Sequence, residues 1–467
     1  MDISLPQTKV RQLINRGSFG PAIHQNSLTV STLCKDSEKI TPLQKVEKPN
    51  LEGFDNVSMR DKSSRKEKAK ELFTKSRAEL MKVNTAWIDK MVDEPTLRER
   101  MTFFWHNHFA CRTLVPYFAQ QQNNILRTFA LSSFSELLKA VSKDPAMLQF
   151  LNNQQNKKGH PNENFAREVM ELFTLGRGNY TENDVKEAAR AFTGWGFNLE
   201  GEFQFRSRQH DYNLKSFRGK TRDFTGEQII DMILNDKRTA AFITTKFYRH
   251  FVSERNISEN TIQEWADSFY LSGYDILKLL NVIFESKEFN DPVNFGTRIK
   301  SPVELLVGIQ LHTGGKFENP RSLIFLQRAM GQILFYPPNV SGWPSGTQWI
   351  DSSSLAFRLM LPVILFRDGE TDFQASDDGD ANGLEQSAGG ARRMIGFKVD
   401  WEPIASLFTK SSLKQTVEGV ESFLLSRATT DTNRKYVTST ADSSLNEAEF
   451  IKRLFQGFMS LPEYQMC

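Results

Sequence analysis

The stretch that decides the fold class, residues 162–195, has the sequence NENFAREVMELFTLGRGNYTENDVKEAARAFTGW. Its apolar residues recur at helical spacing, and Asn162 stands where a side chain can cap the start of a helix. Gly176 then interrupts the pattern, and Thr181 followed by Asp184 is typical of a capping box that opens a second helix. Two helices joined by so short a turn should pack antiparallel.

A short β-hairpin is predicted directly after these helices. Residues 196–207 have the sequence GFNLEGEFQFRS, in which apolar and polar residues alternate with the period of a strand. Glu200 and Gly201 supply the turn. The alternating apolar residues are Phe197, Leu199, Phe203 and Phe205.

Helical signals dominate the rest of the chain. In residues 61–92 glutamates interleave with lysines on the polar face, which favours a solvated helix over a nucleic-acid surface. A further helix is predicted through LRERMTFFWHNHF. Others are predicted at 120–150, 162–175, 182–193, 226–236, 239–253, 259–270, 274–286, 302–313, 321–333 and 353–366. We therefore predict a mainly α fold, a multi-helical single large domain with a small β-hairpin near 196–207.

The chain divides at one change of composition. Residues 367–395 lose apolar periodicity and gain aspartate, glycine and serine, which is typical of an acidic flexible insertion or linker. We expect a main helical domain at 1–366 and a C-terminal helical segment at 396–467 that packs back on it.

Composition excludes several classes of protein. The 467 residues are 39% hydrophobic, and the net charge of +3 is too small to indicate nucleic-acid binding. The cysteines Cys34, Cys111 and Cys467 lie far apart and form neither a disulfide framework nor a zinc-ligand pattern. Since no apolar run reaches about 18 residues and no signal-peptide pattern opens the chain, we predict a soluble, cytoplasmic protein without a transmembrane segment.

A candidate catalytic group lies in the opening stretch. Glu168 and Glu171 are three residues apart on a helix, so their carboxylates can converge as an acid/base pair or as oxygen ligands. Histidine is scarce in this chain, which makes His108 and the pair His210-Asp211 the natural partners. The predicted catalytic residues are therefore Glu168, Glu171, His108, His210 and Asp211.

The same groups could hold a divalent metal through His106, His108, Glu171 and His210. On an ideal helix His106 and His108 point about 200° apart, so a strand or loop at that point is needed for both to face one ion. The alternative interpretation is a salt-bridged scaffold, in which Arg167 and Arg190 neutralise the glutamates of the stretch.

Substrate-binding residues are predicted from charge and from an aromatic loop. Residues 330–355, MGQILFYPPNVSGWPSGTQWIDSSSL, combine prolines, glycines and aromatic residues in a mainly helical chain. Such a loop either walls a pocket for sugar rings or apolar ligands, or plugs the helical core. The predicted binding residues are Arg167, Arg190, Trp195, Tyr336, Trp343 and Trp349.

Several motifs occur in a characteristic order along most of the chain. They are LINRGSFGPA at 13–22, RERMTFFWHNHF, NENFAREVMELFTLG, EAARAFTGW, HDYNLKSFRG, MGQILFYPPNVSGWPSGTQWI and the closing LPEYQ. On these motifs the sequence resembles a bacterial family catalogued as domain of unknown function 1800. The stretch 367–395 is less typical of it.

The resemblance implies a cellular location and a partner protein, but no reaction mechanism. Relatives often carry export signals, which keeps export open as the alternative location. They are often encoded beside a second family similar to sulfatases and phosphatases, which implies a partner protein of that kind. Many relatives have histidine where this chain has Phe173, so a metal bound through that histidine would lack a ligand here. The hypotheses are a hydrolase-like enzyme acting on a cell-envelope or polymeric substrate through a Glu/His site, or a non-catalytic helical scaffold or binding protein with a buried salt-bridge network and an aromatic ligand-binding loop.

Overall fold

The computed structural model describes residues 8–23, 33, 38–48, 62–198, 200–367, 395–441 and 445–467. All of the predicted linker except its two end residues lies outside this part of the chain, as does Leu199 of the predicted hairpin. The boundaries of the domains at 366 and 396 therefore stay a prediction.

Twenty α-helices occur in the described residues, and the predicted mainly α fold is confirmed. The first ten are α1 (Thr8–Gly17), α2 (Lys62–Asp93), α3 (Leu97–His108), α4 (Pro116–Phe129), α5 (Phe134–Ser142), α6 (Pro145–Phe150), α7 (Asn164–Glu168), α8 (Glu182–Ala191), α9 (Gly226–Leu234) and α10 (Lys237–Phe247). The others are α11 (Glu259–Leu271), α12 (Ile276–Glu285), α13 (Lys287–Asn290), α14 (Pro302–Thr313), α15 (Pro320–Ala329), α16 (Ser352–Leu365), α17 (Trp401–Phe408), α18 (Leu413–Leu424), α19 (Asp431–Thr440) and α20 (Glu447–Met459).

Short strands form three antiparallel pairs within the described residues. The strands are β1 (Trp195–Phe197), β2 (Phe203–Phe205), β3 (Lys215–Phe217), β4 (Lys220–Arg222), β5 (Lys316–Phe317) and β6 (Phe397–Lys398). β1 pairs with β2, with Trp195 opposite Phe205, so the predicted hairpin is confirmed. The pairs β3–β4 and β5–β6 were not predicted.

The single helix predicted at 120–150 is wrong, because three helices occupy this range. α4 ends at Phe129, and the Ser133 side chain caps α5 by accepting from the Ser135 N–H. Asp144 caps α6, which begins with Pro145. Both capping side chains compete with helical hydrogen bonding, and a proline is favoured in the first turn of a helix.

Two helices end in π-helical turns. α7 continues into one at Val169–Thr174, where the Leu175 N–H donates to the Met170 carbonyl oxygen at 2.8 Å. α10 continues into another at Tyr248–Val252. A π turn contains more residues than an α turn, displaces carbonyl groups from the regular ladder and is frequent at functional sites.

Buried apolar side chains form two clusters. Trp105 belongs to the first and Trp87 to the second, which also takes side chains from α17 to α20. α3 contributes to both, because Phe104 packs in the first cluster and Phe103 in the second. The end of α3 is therefore held on two sides, which fixes the side chains at its C-terminus.

Candidate active site

A cavity of about 280 Å³ is lined by residues of α3, α10 and the loop between α15 and α16. Aromatic side chains form part of its wall, and ionisable groups form much of the rest. The aromatic residues are Phe103, Phe104, Trp343 and Trp349, and the ionisable residues are His108, Lys246, Arg249, His250, Glu254, Arg298 and Glu304. Apolar walls with convergent polar groups are the usual form of a small-molecule site.

The aromatic loop is fastened to α3 through Asn107. Its Oδ1 accepts the Trp343 N–H at 2.8 Å. Gly342 has a φ of +85°, and a Cβ at this position would collide with the side chain and carbonyl of Asn107. Only glycine allows both the backbone conformation and this close approach. Trp343 and Trp349, both predicted binding residues, are buried and line the cavity.

His108 is a neutral imidazole with a fixed tautomer. Its Nε2 lies 3.2 Å from the Phe173 carbonyl oxygen, which can only accept, so Nε2 carries the proton. Its Nδ1 lies 2.9 Å from Nζ of Lys246 and accepts from it. Burial, together with the nearby charge of Lys246, holds the pKa of His108 well below its ordinary value.

Lys246 is a buried lysine of the cavity wall with two fixed hydrogen-bond acceptors. Besides His108, its Nζ donates to the Leu172 carbonyl oxygen at 3.3 Å. Burial lowers the pKa of Lys246 to about 8. Two of the three N–H groups of the ammonium thus have fixed acceptors, and both acceptors depend on carbonyl groups of the π turn at Val169–Thr174.

A buried ion pair closes another side of the cavity. Glu304 accepts from NH1 of Arg298 at 3.0 Å and also pairs with Arg100. Burial alone would raise the pKa of Glu304, but the two guanidinium groups hold it well below its ordinary value. The neighbouring His250 is kept neutral, since burial and the charge of Arg100 lower its pKa.

The two predicted glutamates lie outside the cavity lining. Glu171 accepts from the Tyr180 hydroxyl and from Nε of Arg177 at 2.9 Å, and these contacts lower its pKa despite partial burial. The Glu168 side chain forms no hydrogen bond or ion pair among the described residues. Burial and the adjacent Glu171 raise the pKa of Glu168. Among the described residues, Tyr180 and Arg177 therefore bind only the Glu171 carboxylate of the pair.

The predicted arginines form ion pairs on the helix pair. Arg167 bonds Glu163 at 3.1 Å and Glu182 at 2.8 Å, with about a third of its side chain exposed. Arg190 bonds Asp211 at 2.8 Å and Glu187 at 3.0 Å. These pairs are partly exposed rather than buried.

Trp195 lies in the core beside this network. The sixth predicted binding residue, Tyr336, carries the guanidinium of Arg112 over its ring at 4.7 Å.

The remaining predicted metal ligands also have separate partners. Nε2 of His106 accepts the Phe335 N–H at 3.1 Å, and burial lowers the pKa of His106 to about 3. Nδ1 of His210 donates to the Thr193 carbonyl oxygen at 2.8 Å. The structure does not bring these groups to one point, and the described residues contain no cluster of three His, Cys, Asp or Glu that could hold a metal.

Sequence reasoning missed Lys246, His250, Arg298 and Glu304. Lys246 and Arg298 look like any other charged residues, and only packing places them in one cavity. His250 was one of seven histidines but had no neighbouring motif. Glu304 carried a signal, because Ser301 and Glu304 form a capping box, yet that signal explains a helix start rather than a site.

The model of one family, described as a protein of unknown function (DUF1800), matches residues 11–466. The chain belongs to this family, and the match includes every residue that lines the cavity. No curated protein and no solved structure matches the chain. Among the described helices, none has both the length and the apolar character to cross a membrane.

Proposed function

We propose that this protein is a hydrolase-like enzyme and that the cavity beside Trp343 is its active site. The observation that carries the proposal is the contact between Nζ of Lys246 and Nδ1 of His108 at 2.9 Å in the cavity wall. A lysine whose pKa is lowered to about 8 can both take and return a proton near neutral pH.

The hydrogen bonds around Lys246 suit proton transfer. When the ammonium loses one proton, the amine still donates to His108 and to the Leu172 carbonyl. The lone pair is then free to take a proton from a water molecule that attacks the substrate. As the bond to the leaving group breaks, the ammonium returns that proton to the leaving group. His108 positions the amine and is not itself protonated, since its pKa is well below neutral.

The predicted Glu/His site is revised by this proposal. Of the predicted catalytic residues, His108 lines the cavity, whereas Glu168, Glu171, His210 and Asp211 do not. The aromatic faces of Trp343 and Trp349 suit a sugar ring or another apolar group. A cell-envelope or other polymeric substrate is compatible with such a wall, and a partner protein similar to sulfatases or phosphatases remains part of the hypothesis.

Competitive labelling of lysines with acetic anhydride, read by peptide mass spectrometry, tests the proton-transfer group without a known substrate. We expect Lys246 to become reactive with a midpoint at about pH 8, whereas ordinary lysines titrate at about pH 10.4. A Lys246 midpoint at the ordinary value would refute the proposal.

Hydrolysis of 4-nitrophenyl esters and glycosides supplies the catalytic test. We expect Lys246→Met to lower the rate roughly 100-fold or more, which is the usual contribution of a general acid or base. The matched control is Lys237→Met, because Lys237 lies in the same helix and pairs with Asp267 at 3.0 Å on the surface. Equal activity of the two variants would contradict the proposed role.

A non-catalytic binding protein is the second candidate. The ion pairs of Arg167 and Arg190 favour it, because they leave neither arginine free to bind a substrate, although they are partly exposed and do not form the buried network that the sequence predicts. On this hypothesis the cavity binds a ligand but does not convert it. Lys246→Met then changes the affinity for the ligand, and neither protein shows turnover.

A further inference from the structure

Positive charge is buried in excess behind the cavity. Each of five cationic residues is at most 6% exposed: Arg16, Arg100, Arg298, Lys300 and Arg358. The acidic groups that raise the pKa values of these cations are Glu304, Cys467 and, for Arg298, Glu254. A buried charge without a counter-charge is costly, so this arrangement favours a further anion nearby.

Two of these cations bond only neutral acceptors. Arg16 donates to the carbonyl oxygens of His250 and Val252, both at 3.3 Å. Arg358 donates to the side-chain oxygen of Gln465 at 3.0 Å and to a backbone carbonyl. Their charge is therefore not cancelled locally, and the positive potential extends to Arg298 and to the cavity that Arg298 lines.

Unpartnered nitrogen atoms stand at the cavity itself: the Arg298 Nε–H is a donor, and Nε2 of the neutral His250 ring donates in one of its two tautomers. Nε of Arg298 and Nε2 of His250 are buried and have no hydrogen-bond partner. At the more exposed side, Arg249 lines the cavity and forms no ion pair among the described residues. Unsatisfied buried donors are rare because each costs about 1–3 kcal/mol, so such groups often mark the place of a ligand.

The carboxylates in the lining do not cancel this charge. Glu304 is already paired with Arg100 and Arg298. Glu254 approaches Gly346 of the aromatic loop and is the other carboxylate among the described lining residues. Lys246, Arg249 and Arg298 therefore outnumber the carboxylates Glu254 and Glu304 by one, which leaves the cavity lining with a net positive charge when Lys246 is protonated.

We propose that the ligand of this cavity carries an oxyanion, held by Arg298 and His250 on the buried side and by Arg249 at the mouth. The planar guanidinium groups match the geometry of a carboxylate or a phosphate, and the remainder of the ligand packs against Trp343 and Trp349. The inference rests on the proposed function for its use of the same cavity as substrate site, but it does not require Lys246 to transfer a proton.

Isothermal titration calorimetry with benzoate, phenyl phosphate and the neutral analogue benzamide tests the ligand class. We expect at least one oxyanion to bind about tenfold or more tightly than benzamide, since one charged hydrogen bond contributes roughly 1.5–3 kcal/mol and about 1.4 kcal/mol is tenfold. The ratio of benzoate to phenyl phosphate affinity distinguishes a carboxylate from a phosphate ligand. Benzamide binding as tightly as both anions would overturn the inference.

Two arginines of one segment provide matched variants. Arg249→Gln removes a cation of the lining and should weaken oxyanion binding several-fold. Arg255→Gln removes an exposed cation outside the lining and should leave binding unchanged. An equal loss in the two variants would mean attraction to the general surface charge, and the inference would then fail.

Histidine NMR locates the bound anion. With ¹³C-labelled histidine, we expect the His250 ring signal to shift on titration with the oxyanion, while the signal of buried His312, which lies outside the lining, stays in place. Binding without a His250 shift would indicate an adventitious ion only.

The two proposals fail separately. If Lys246→Met abolishes turnover while benzoate and phenyl phosphate still bind, both proposals stand. If the oxyanions bind but the Lys246 variant remains fully active, only the proton-transfer role is lost. Turnover of neutral substrates without any oxyanion binding would remove only the inference about the ligand.

Discussion

Replacing Arg127 with methionine is the sharpest test of how charge stabilises this fold. Arg127 of α4 bonds the Glu99 carboxylate of α3 through Nε at 2.6 Å and NH2 at 3.0 Å. Trp87 of α2 donates its Nε1–H to the same carboxylate at 2.9 Å. Arg127 and Glu99 are 0% and 2% exposed, so no water can replace the lost guanidinium.

The expected cost of Arg127→Met follows from stranding this carboxylate. Removing one partner of a buried ion pair costs about 3–5 kcal/mol, which increases the unfolded fraction roughly 100- to 4000-fold. Arg167→Met is the matched control, because Arg167 also bonds two carboxylate oxygens of Glu182 but lies at the surface. Loss of that exposed pair should cost only about 0–1 kcal/mol.

Urea unfolding followed by circular dichroism measures both variants. The double variant Glu99→Gln/Arg127→Met should be more stable than Arg127→Met alone, because it removes the stranded charge. A cost for Arg127→Met no larger than that for Arg167→Met would refute the reasoning. It would mean that the scaffold does not depend on its buried pairs more than on its surface pairs.

Two further predictions concern the cavity. Burial lowers the pKa values of Lys246 and Lys300 to about 8. Between pH 8 and about 10.4, these lysines therefore bind more protons in the unfolded chain than in the folded one. Their contribution to the free energy of unfolding consequently rises with pH in this range. Lys246→Met should flatten this rise in urea unfolding at pH 8 and 9.5, and parallel slopes would count against it. Gly342→Ala should weaken oxyanion binding in calorimetry because its Cβ meets Asn107, whereas Gly331→Ala, with a similar φ but nothing nearby, should not.

Much of the fold could be predicted because the starts and ends of helices are marked by local sequence signals. The helix predicted at 302–313 is α14, since Ser301 and Pro302 mark its start and Gly314 adopts the left-handed conformation after its end. The range 120–150 was mispredicted because its apolar period continues across Ser133. The capping side chains of Ser133 and Asp144, which divide the range into three helices, are weaker signals in the sequence than this apolar period.

The cavity was only partly predictable because contacts between distant residues decide it. His108 and Trp343 stood out by rarity and by an irregular loop. Lys246 did not, since its contact with His108 joins residues 138 positions apart. The spacing of Glu168 and Glu171 predicts that the two side chains lie on one helical face. It gave no sign that Tyr180 and Arg177 would bind the Glu171 carboxylate, and this depends on how the chain folds back after Gly176.

The π turn at Val169–Thr174 has a consequence for how this protein can change through insertion and deletion. Deleting one residue would restore a regular α-helix and rotate everything beyond it by about 100°. Both backbone contacts would then be lost in a single genetic step: the one between the Leu172 carbonyl and Lys246, and the one between the Phe173 carbonyl and His108. Point substitutions that keep the length of the chain leave these backbone anchors in place. The length of this segment therefore constrains the cavity more strongly than the identity of its side chains.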